Sequence, residues 1–501
     1  MRAAIDSGER MKIEYKYLVA IVAVFGLFMD LLDGTIVNVA APTLAKDFNA
    51  STTTIEWVIT GYLLSLAVFI PVSGWAGDRF GTKRTFMFAL AVFTASSLLC
   101  AMSWSVGSLI AFRVLQGVGG GMLTPVGTAM VFRAFPPSER SKASGFMVIP
   151  TTVAPASGPI LGGFLVQYVN WQWIFLVNVP VGLLGLIVAW RFLKEEKQPN
   201  PGKFDPRGFV LAASGMACIQ YALAEVGSRG FGDSRVLLFL AAGVALLVAF
   251  VRAELHTAEP MIDVRLFRNR LFRQCTTTQF VAMIGFSGAL FLLPFLLQRE
   301  RGLSPFESGL TTFPMAIGVM MMAQPTSRMY RSIGPRRLIA VGLILATLSS
   351  ASLAFIDLGT SLWYIRSVML VRGFGFGMML VPMQAATFAT VKQSDAGRAS
   401  SLFSVSRMFG QSMGVAVSAT VLSNRISAHG GVPAAHLQRL PQAVQDGTLL
   451  AYHDAFLVAA FLTLFGVAMA LMIRDSDAAP SMKPKRVVIP QGEDELAVAV
   501  H

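Results

Sequence analysis

The chain has 501 residues, 54% of them hydrophobic and only 14% charged. Soluble domains carry about 25% charged residues, so one large soluble enzyme is excluded. Lys and Arg outnumber Asp and Glu by 41 to 28, a formal charge of +13, and this excess has to be located before it is read as a nucleic-acid signal.

A helix rising 1.5 Å per residue crosses a bilayer core of about 30 Å in about 20 residues. Fourteen apolar stretches approach that length: 17–39, 54–76, 84–103, 107–131, 143–167, 172–192, 208–226, 236–252, 272–297, 307–327, 337–356, 361–386, 399–423 and 452–473. The seventh and eighth are the shortest and are rich in Ala and Gly. Arg2, Arg10, Lys12 and Lys16 precede the first stretch as they would in a signal peptide. That stretch runs too long, holds two acids and lacks a small-residue cleavage site, so it reads as a retained helix.

Charge placement tests this count. With the N-terminus in the cytoplasm, thirty Lys and Arg fall in cytoplasmic segments, seven in external ones, and Arg113, Arg366, Arg372 and Arg407 within spans. Removing any one helix would flip every later loop and spoil the separation. The basic excess is therefore explained by topology, with both termini cytoplasmic and no nucleic-acid partner. Cys100, Cys218 and Cys275 all sit in apolar runs with neither CxxC nor zinc spacing, and the five His residues form no metal set.

The spans group as six, two and six. The implied organisation is a cytoplasmic N-terminus 1–16, a six-helix bundle 17–195, a linker 196–260 with two additional helices, a second bundle 261–475 and a cytoplasmic tail 476–501. The halves share a faint repeat. Asp78-Arg-Phe-Gly-Thr-Lys-Arg84 and Arg331-Ser-Ile-Gly-Pro-Arg-Arg337 both join the second and third helices of their half. Ser138–Ala143 and Ser394–Ala399 likewise both precede a fifth helix. Repeated helical halves are characteristic of secondary transporters, with a substrate site between them near mid-bilayer.

No GxxxxGK[ST] sequence occurs, which argues against ATP as the energy source and leaves an ion gradient, with no cofactor. A gradient-driven carrier needs a titratable group in the membrane, where a charge costs roughly 2.5–3.5 kcal/mol. Helix 1 has two, Asp30 and Asp33, three apart and on one face. Counted from Tyr17 they lie about 20 and about 24 Å up the helix, and Arg113 of the antiparallel helix 4 falls at a comparable depth. Two readings stay open: proton exchange at these acids, or a fixed Asp33–Arg113 pair. Arg372 and Arg407 are further buried charges that either contact substrate or are satisfied by carbonyls and neighbours such as Gln384 and Gln411. Gly117, Gly119, Gly120 and Gly121 of helix 4, and Gly158, Gly162 and Gly163 of helix 5, permit close helix contact. The 25 Met and 37 Phe fit a soft, adaptable cavity. An intramembrane enzyme would need a nucleophile–base pair or metal cluster at one depth, and none is visible.

These motifs resemble the major facilitator superfamily, and within it the fourteen-helix drug:proton antiporters of the EmrB/QacA type. Leu32-Asp-Gly-Thr-Ile-Val-Asn-Val-Ala-Ala-Pro42 is similar to that group's helix 1 signature. Gly74-Trp-Ala-Gly-Asp-Arg-Phe-Gly-Thr-Lys-Arg84 resembles the superfamily's loop 2–3 motif, with Ala76 where Leu is usual. Arg113, Gln116 and Gly117 match the helix 4 motif. Gly158, Pro159, Gly162 and Gly163 match the helix 5 antiporter motif, with Ala154 in place of its first Gly. Trp171–Pro180 is similar to the family's approach to helix 6. The resemblance covers about 20–475, with its specific motifs before residue 185.

The resemblance implies an all-α integral membrane fold of two pseudo-symmetric six-helix halves plus two linking helices. It implies proton coupling through Asp33, assisted by Arg113, with Asp30 and Gln116 nearby. It also implies a cytoplasmic latch between the halves built from Gly74, Asp78, Arg79, Gly81 and Arg84. Arg331 stands where Asp78 would be in the second half, so that latch is one-sided. The expected function is proton-driven efflux of lipophilic, often cationic compounds across a bacterial inner or plasma membrane. Export of one endogenous amphiphile is the alternative, and an uptake symporter a weaker one. Residues 424–451, with His429, Pro433, His436 and Pro441, read as a longer external loop where a periplasmic adaptor could dock. A monomer is the simplest oligomeric expectation.

Overall fold

A computed structural model describes residues 14–135, 153–154, 157–197, 203–230, 232–257, 260, 262–391, 395–432 and 441–482. In lipid every backbone polar group has to be satisfied within its own segment, and long apolar runs answer by coiling into helices. The described residues contain α1 (Tyr15–Asp47), α2 (Thr52–Phe80), α3 (Thr82–Ala101), α4 (Val106–Ala134), α5 (157–168) and α6 (Trp173–Phe192). Then come α7 (Pro206–Arg229), α8 (Ser234–His256), α9 (Arg270–Glu300), α10 (Pro305–Thr312 continuing as Pro314–Ile333) and α11 (Pro335–Leu353). The series ends with α12 (Leu362–Thr387), α13 (Ala396–Ala428) and α14 (Gln442–Leu471). Among the described residues, eleven helices are long and apolar enough to cross a membrane. The other three are α5, described only in part, α10, interrupted at Phe313, and α13, which carries Arg398, Arg407 and Arg425 among many serines.

The helices outrun the apolar stretches. Tyr15–Asp47 has 33 residues, about 50 Å at 1.5 Å each, and continues through Pro42. Likewise α13 reaches Ala428 and α14 starts at Gln442, so most of the expected 424–451 loop is helical. Hydropathy marks where lipid ends, whereas hydrogen bonding decides where a helix ends, and polar turns extend both rods beyond the slab. His429 Nε2 and Arg425 Nε meet Asp454 Oδ2 at 2.9 and 3.3 Å and staple these ends together. Pro433 and His436 lie outside the described residues, as do Ser138–Ala143 and Ser394 of the second repeat.

The halves repeat one set of neighbours with an offset of eight helices. In the first, α4 packs on α1, α2 and α3, and α6 on α3 and α1; in the second, α12 packs on α9, α10 and α11, and α14 on α11 and α9. The linking pair α7–α8 packs on itself and reaches α2 and α13 through α7. Much of α8 remains uncovered, with Leu237, Leu238, Val244, Val248 and Val251 exposed as a lipid-facing surface would be.

The 2–3 turns confirm the repeat in atomic detail. Gly81 (φ 101°) and Gly334 (φ 85°) take left-handed backbone that other residues resist. Beside each stands an acid from the segment after its half's sixth helix. Glu195 Oε1 accepts from Lys83 N at 3.1 Å and its Oε2 from Arg84 N at 3.3 Å. Asp475 Oδ1 accepts from Arg336 N at 2.9 Å. Each carboxylate thus caps the exposed amides of a helix start, where the helix dipole favours negative charge.

Candidate functional site

The site lies where α1, α2, α3, α4 and α6 converge. Asp33 is fully buried, and Arg113 is 1% exposed. Arg113 Nη1 donates to Asp33 Oδ2, while Asp33 Oδ1 accepts from Gln116 Nε2 at 3.0 Å and Asn178 Nδ2 at 3.2 Å. Arg113 is itself held from three sides. Its Nε donates to Val58 O at 3.0 Å, its Nη1 also donates to Gln116 Oε1 at 2.6 Å, and its guanidinium lies 4.0 Å from the Tyr62 ring centre. Gln116 Nε2 donates to Ser97 Oγ at 2.7 Å as well, tying α3 to the cluster. The spacing of three between Arg113 and Gln116 puts both on one face of α4, which is how one helix supplies two polar groups to one carboxylate.

Asp30, nearly one turn earlier on α1, has a separate set of partners. Tyr62 OH donates to its Oδ1 at 2.7 Å and Thr124 Oγ1 to its Oδ2 at 2.8 Å. From the second half, Arg407 interacts electrostatically with Asp30. Tyr62 bridges the two acids, its hydroxyl on Asp30 and its ring under Arg113. Small residues bring the helices this close. A Cβ on Gly120 would stand 2.9 Å from both Asp30 Oδ1 and Tyr62 OH, and one on Gly117 would stand 2.5 Å from Ser65 Cβ.

Asp30, Asp33, Arg113 and Gln116 are therefore brought together. Tyr62, Thr124 and Asn178 complete the site and were not singled out from the sequence. Their signal was weak but present: an amide and two hydroxyls in apolar runs, at depths matching the acids. Arg372 belongs elsewhere. It is buried in the second half, with Nη2 donating to Phe286 O at 2.8 Å and Nη1 to Ser350 Oγ, and its guanidinium 4.8 Å from the Phe286 ring centre. Its Nε is buried without a hydrogen-bond partner, and the bonds its other nitrogens make go to neither Gln384 nor Gln411.

The loop 2–3 residues sit at the end of the bundle where α1 begins. Asp78 Oδ1 accepts from Arg133 Nη2 at 2.9 Å, and Arg84 Nε faces Glu195 Oε2 at 3.6 Å. Both partners belong to the first half in this conformation. Gly74 and Arg79 are exposed, and Gly81 forms the turn. The helix 5 residues line two seams at the opposite end. A Cβ on Gly158 or Gly162 would collide with Thr35 or Ile36 of α1; one on Gly163 would lie 2.5 Å from Pro305 O, and one on Gly309 of α10 would lie 2.1 Å from Pro159 O. The halves are in backbone contact here, and Gln298 Nε2 adds a 2.8 Å bond to Val39 O of α1.

Residues 23–415 match the profile of the Major Facilitator Superfamily. The chain belongs to the major facilitator superfamily. Within the superfamily it is 36% identical over 406 residues to the multidrug resistance protein B homolog of Mycobacterium tuberculosis, covering 80% of this chain and 75% of that protein. A Pectobacterium carotovorum protein named for multidrug resistance, MdtD, is 35% identical over 401 residues, 80% of this chain and 86% of its own. Among solved structures, a bacterial homolog of the human lysosomal transporter Spinster in an inward-facing, unoccupied conformation superposes with a TM-score of 0.63. It is 19% identical, with 92% of this chain and 98% of that one covered. That likeness concerns fold, and it agrees with the all-helical architecture of two repeated halves.

Proposed function

We propose that this superfamily member is a proton-coupled antiporter that exports lipophilic, often cationic compounds by alternating access. Membership makes it a multi-pass membrane transporter; the names of its relatives support the multidrug cargo class. The observation that carries the proton step is the paired arrangement of Asp33 and Asp30, one clamped by Arg113, Gln116 and Asn178 and the other held by Tyr62 and Thr124 while facing Arg407. A buried carboxylate with an Arg partner exchanges its proton only when that partner moves or water arrives, so protonation is tied to helix movement. Arg407 lies on the opposite half, so separation of the halves changes the charge that Asp30 faces. In the proposed cycle a proton arrives from outside, neutralises one helix 1 acid and displaces cargo, then leaves inward. Inward proton flow suits a cationic cargo, since each charge moved across 100 mV involves about 2.3 kcal/mol.

The division at 195 and 260, the bacterial inner membrane and cytoplasmic termini belong to the same proposal, supported by the one-sided distribution of Lys and Arg. The test is transport of a lipophilic fluorescent cation by purified protein in proteoliposomes under an imposed acidity difference. Accumulation should follow the gradient and disappear in Asp33→Asn. Equal rate and equal final level after the gradient is collapsed would overturn the proposal.

A further inference from the structure

A second buried acid lies outside the site described above. Glu56 is in the second turn of α2, with its side chain wholly inaccessible, as are Thr60 beside it, Gln220 of α7 and Ser412 of α13. Gln220 Nε2 donates to Glu56 Oε1 at 3.3 Å and to Ser412 O at 3.4 Å. Ser412 Oγ in turn donates to Thr60 O at 3.4 Å. Four residues from the first half, the linker and the second half are therefore joined at one point on the α2–α13 seam.

Two atoms there lack partners, Glu56 Oε2 and Gln220 Oε1. Both accept hydrogen bonds when Glu56 is ionised, so neither can satisfy the other. One added proton changes that. A carboxylic acid and a primary amide are complementary: the amide N–H donates to one acid oxygen, and the acid O–H donates to the amide oxygen. The first of these bonds is present, and the two unpartnered atoms are the ones the second would join.

Charges on the surrounding helices offer no substitute for that proton. Arg113 of α4 and Asp33 of α1 hold each other, while Asp30 faces Arg407 of α13. Arg425 of α13 pairs with Asp454, Arg229 of α7 with Glu225, and Arg299 of α9 acts on Glu300. Lys83 and Arg84 of α3 bind at the other end of the bundle, and Lys46 and Asp47 of α1 are exposed. Among the described residues the hydrogen bond to the Glu56 carboxyl comes from the uncharged Gln220, while Thr60 Oγ1 donates to the Glu56 backbone O at 3.1 Å. An ionised carboxylate buried without a counter-charge is costly, whereas a neutral acid with complete hydrogen bonding is tolerated.

We propose that Glu56 and Gln220 form a second proton-binding site, occupied by one proton in this conformation, that pins the linker helix α7 to both halves. The step is an exchange with water: the Glu56 O–H bond breaks, its electron pair stays on the carboxylate and the proton passes to a water molecule. Water reaches the pair only if α13 draws Ser412 away from α2, so release of this proton reports opening of the seam. Tyr62, which holds Asp30, is six residues further along α2, about 9 Å by helical rise. The two acids thus share one rigid rod.

The site does not depend on the antiport reading, and its test does not measure transport. Infrared spectra of the full chain in lipid at neutral pH resolve the carbonyl stretch of protonated carboxylic acids, which shifts on deuteration. Wild type should show a contribution that Glu56→Gln removes, and that neither Asp30→Asn nor Asp33→Asn removes. Gln replaces the acid with an amide that can still pair with Gln220, so the fold is kept. Gln220→Leu, as a second variant, should retain the band and move it to higher frequency as the hydrogen bond is lost. A carboxylic-acid band unchanged in Glu56→Gln, or unmoved in Gln220→Leu, would overturn the assignment. Failure of gradient-driven uptake in wild type would sink the antiport reading and leave this band where it is.

Discussion

Replacing Asp33 by Asn while keeping its size isolates the charge in the α1–α4 pair. Asn Oδ1 can still accept from Gln116 and Asn178, which are 3.0 and 3.2 Å from the present Asp33 Oδ1. The other position becomes an amide N–H pointed at Arg113 Nη1, donor against donor. Breaking a buried pair by removing one partner costs about 3–5 kcal/mol, because the remaining charge stays buried. Arg113 retains Val58 O, Gln116 and the Tyr62 ring, which places the expected loss near the lower figure, about 3 kcal/mol. Arg113→Met should cost as much, since it strands the Asp33 carboxylate. Asp33→Asn with Arg113→Met strands neither, so the double variant should lose less than the two singles summed, by about 3 kcal/mol. The assay is reversible unfolding in mixed detergent micelles, run as a double-mutant cycle. Losses that add to within about 0.5 kcal/mol would refute the reasoning, because they would mean that the two groups do not depend on each other.

Gly163→Val should disrupt the backbone contact between α5 and α10, where even a methyl group would stand 2.5 Å from Pro305 O. Cross-linking between Gln167→Cys and Phe306→Cys, whose parent residues share a 3.1 Å hydrogen bond, should fall several-fold in that background. Glu195→Ala and Asp475→Ala should each cost about 1 kcal/mol of stability by uncapping a helix start, and a transport assay should show an unaltered cargo range. Arg372→Met should leave cargo preference unchanged as well, since its partners are Phe286 O and Ser350; a changed preference would move Arg372 into the cargo path.

Residues whose cost is visible without a fold were legible from the sequence. Asp30, Asp33 and Arg113 interrupt apolar runs, and a charge in lipid demands a reason. Partners that cost little alone were not. Tyr62, Thr124 and Asn178 are ordinary in membrane helices, and only three-dimensional convergence makes them ligands of the acids. Glu56 lies inside the span 54–76 but only two residues from its start, where a charge near the membrane boundary does not stand out as Asp30 and Asp33 do. The loop 424–451 shrank because Gln442–Ala451 is helix that hydropathy cannot distinguish from a polar connection. The 2–3 repeat was readable as a pattern, while the acids that complete it, Glu195 and Asp475, lie more than a hundred residues from the turns they serve.

Those two caps also constrain how the molecule moves. Each ties the base of its third helix to the strand of chain leaving its sixth, and Lys83 Nζ adds bonds of 2.8 Å to Trp190 O and Leu193 O at the close of α6. A bundle belted in this way resists shear among its own rods. Displacement is then left to the joints that carry no such belt, where α2 slides on α13 and where α1 and α5 lean on α9 and α10, so each half turns as a lever and the seams serve as its bearings.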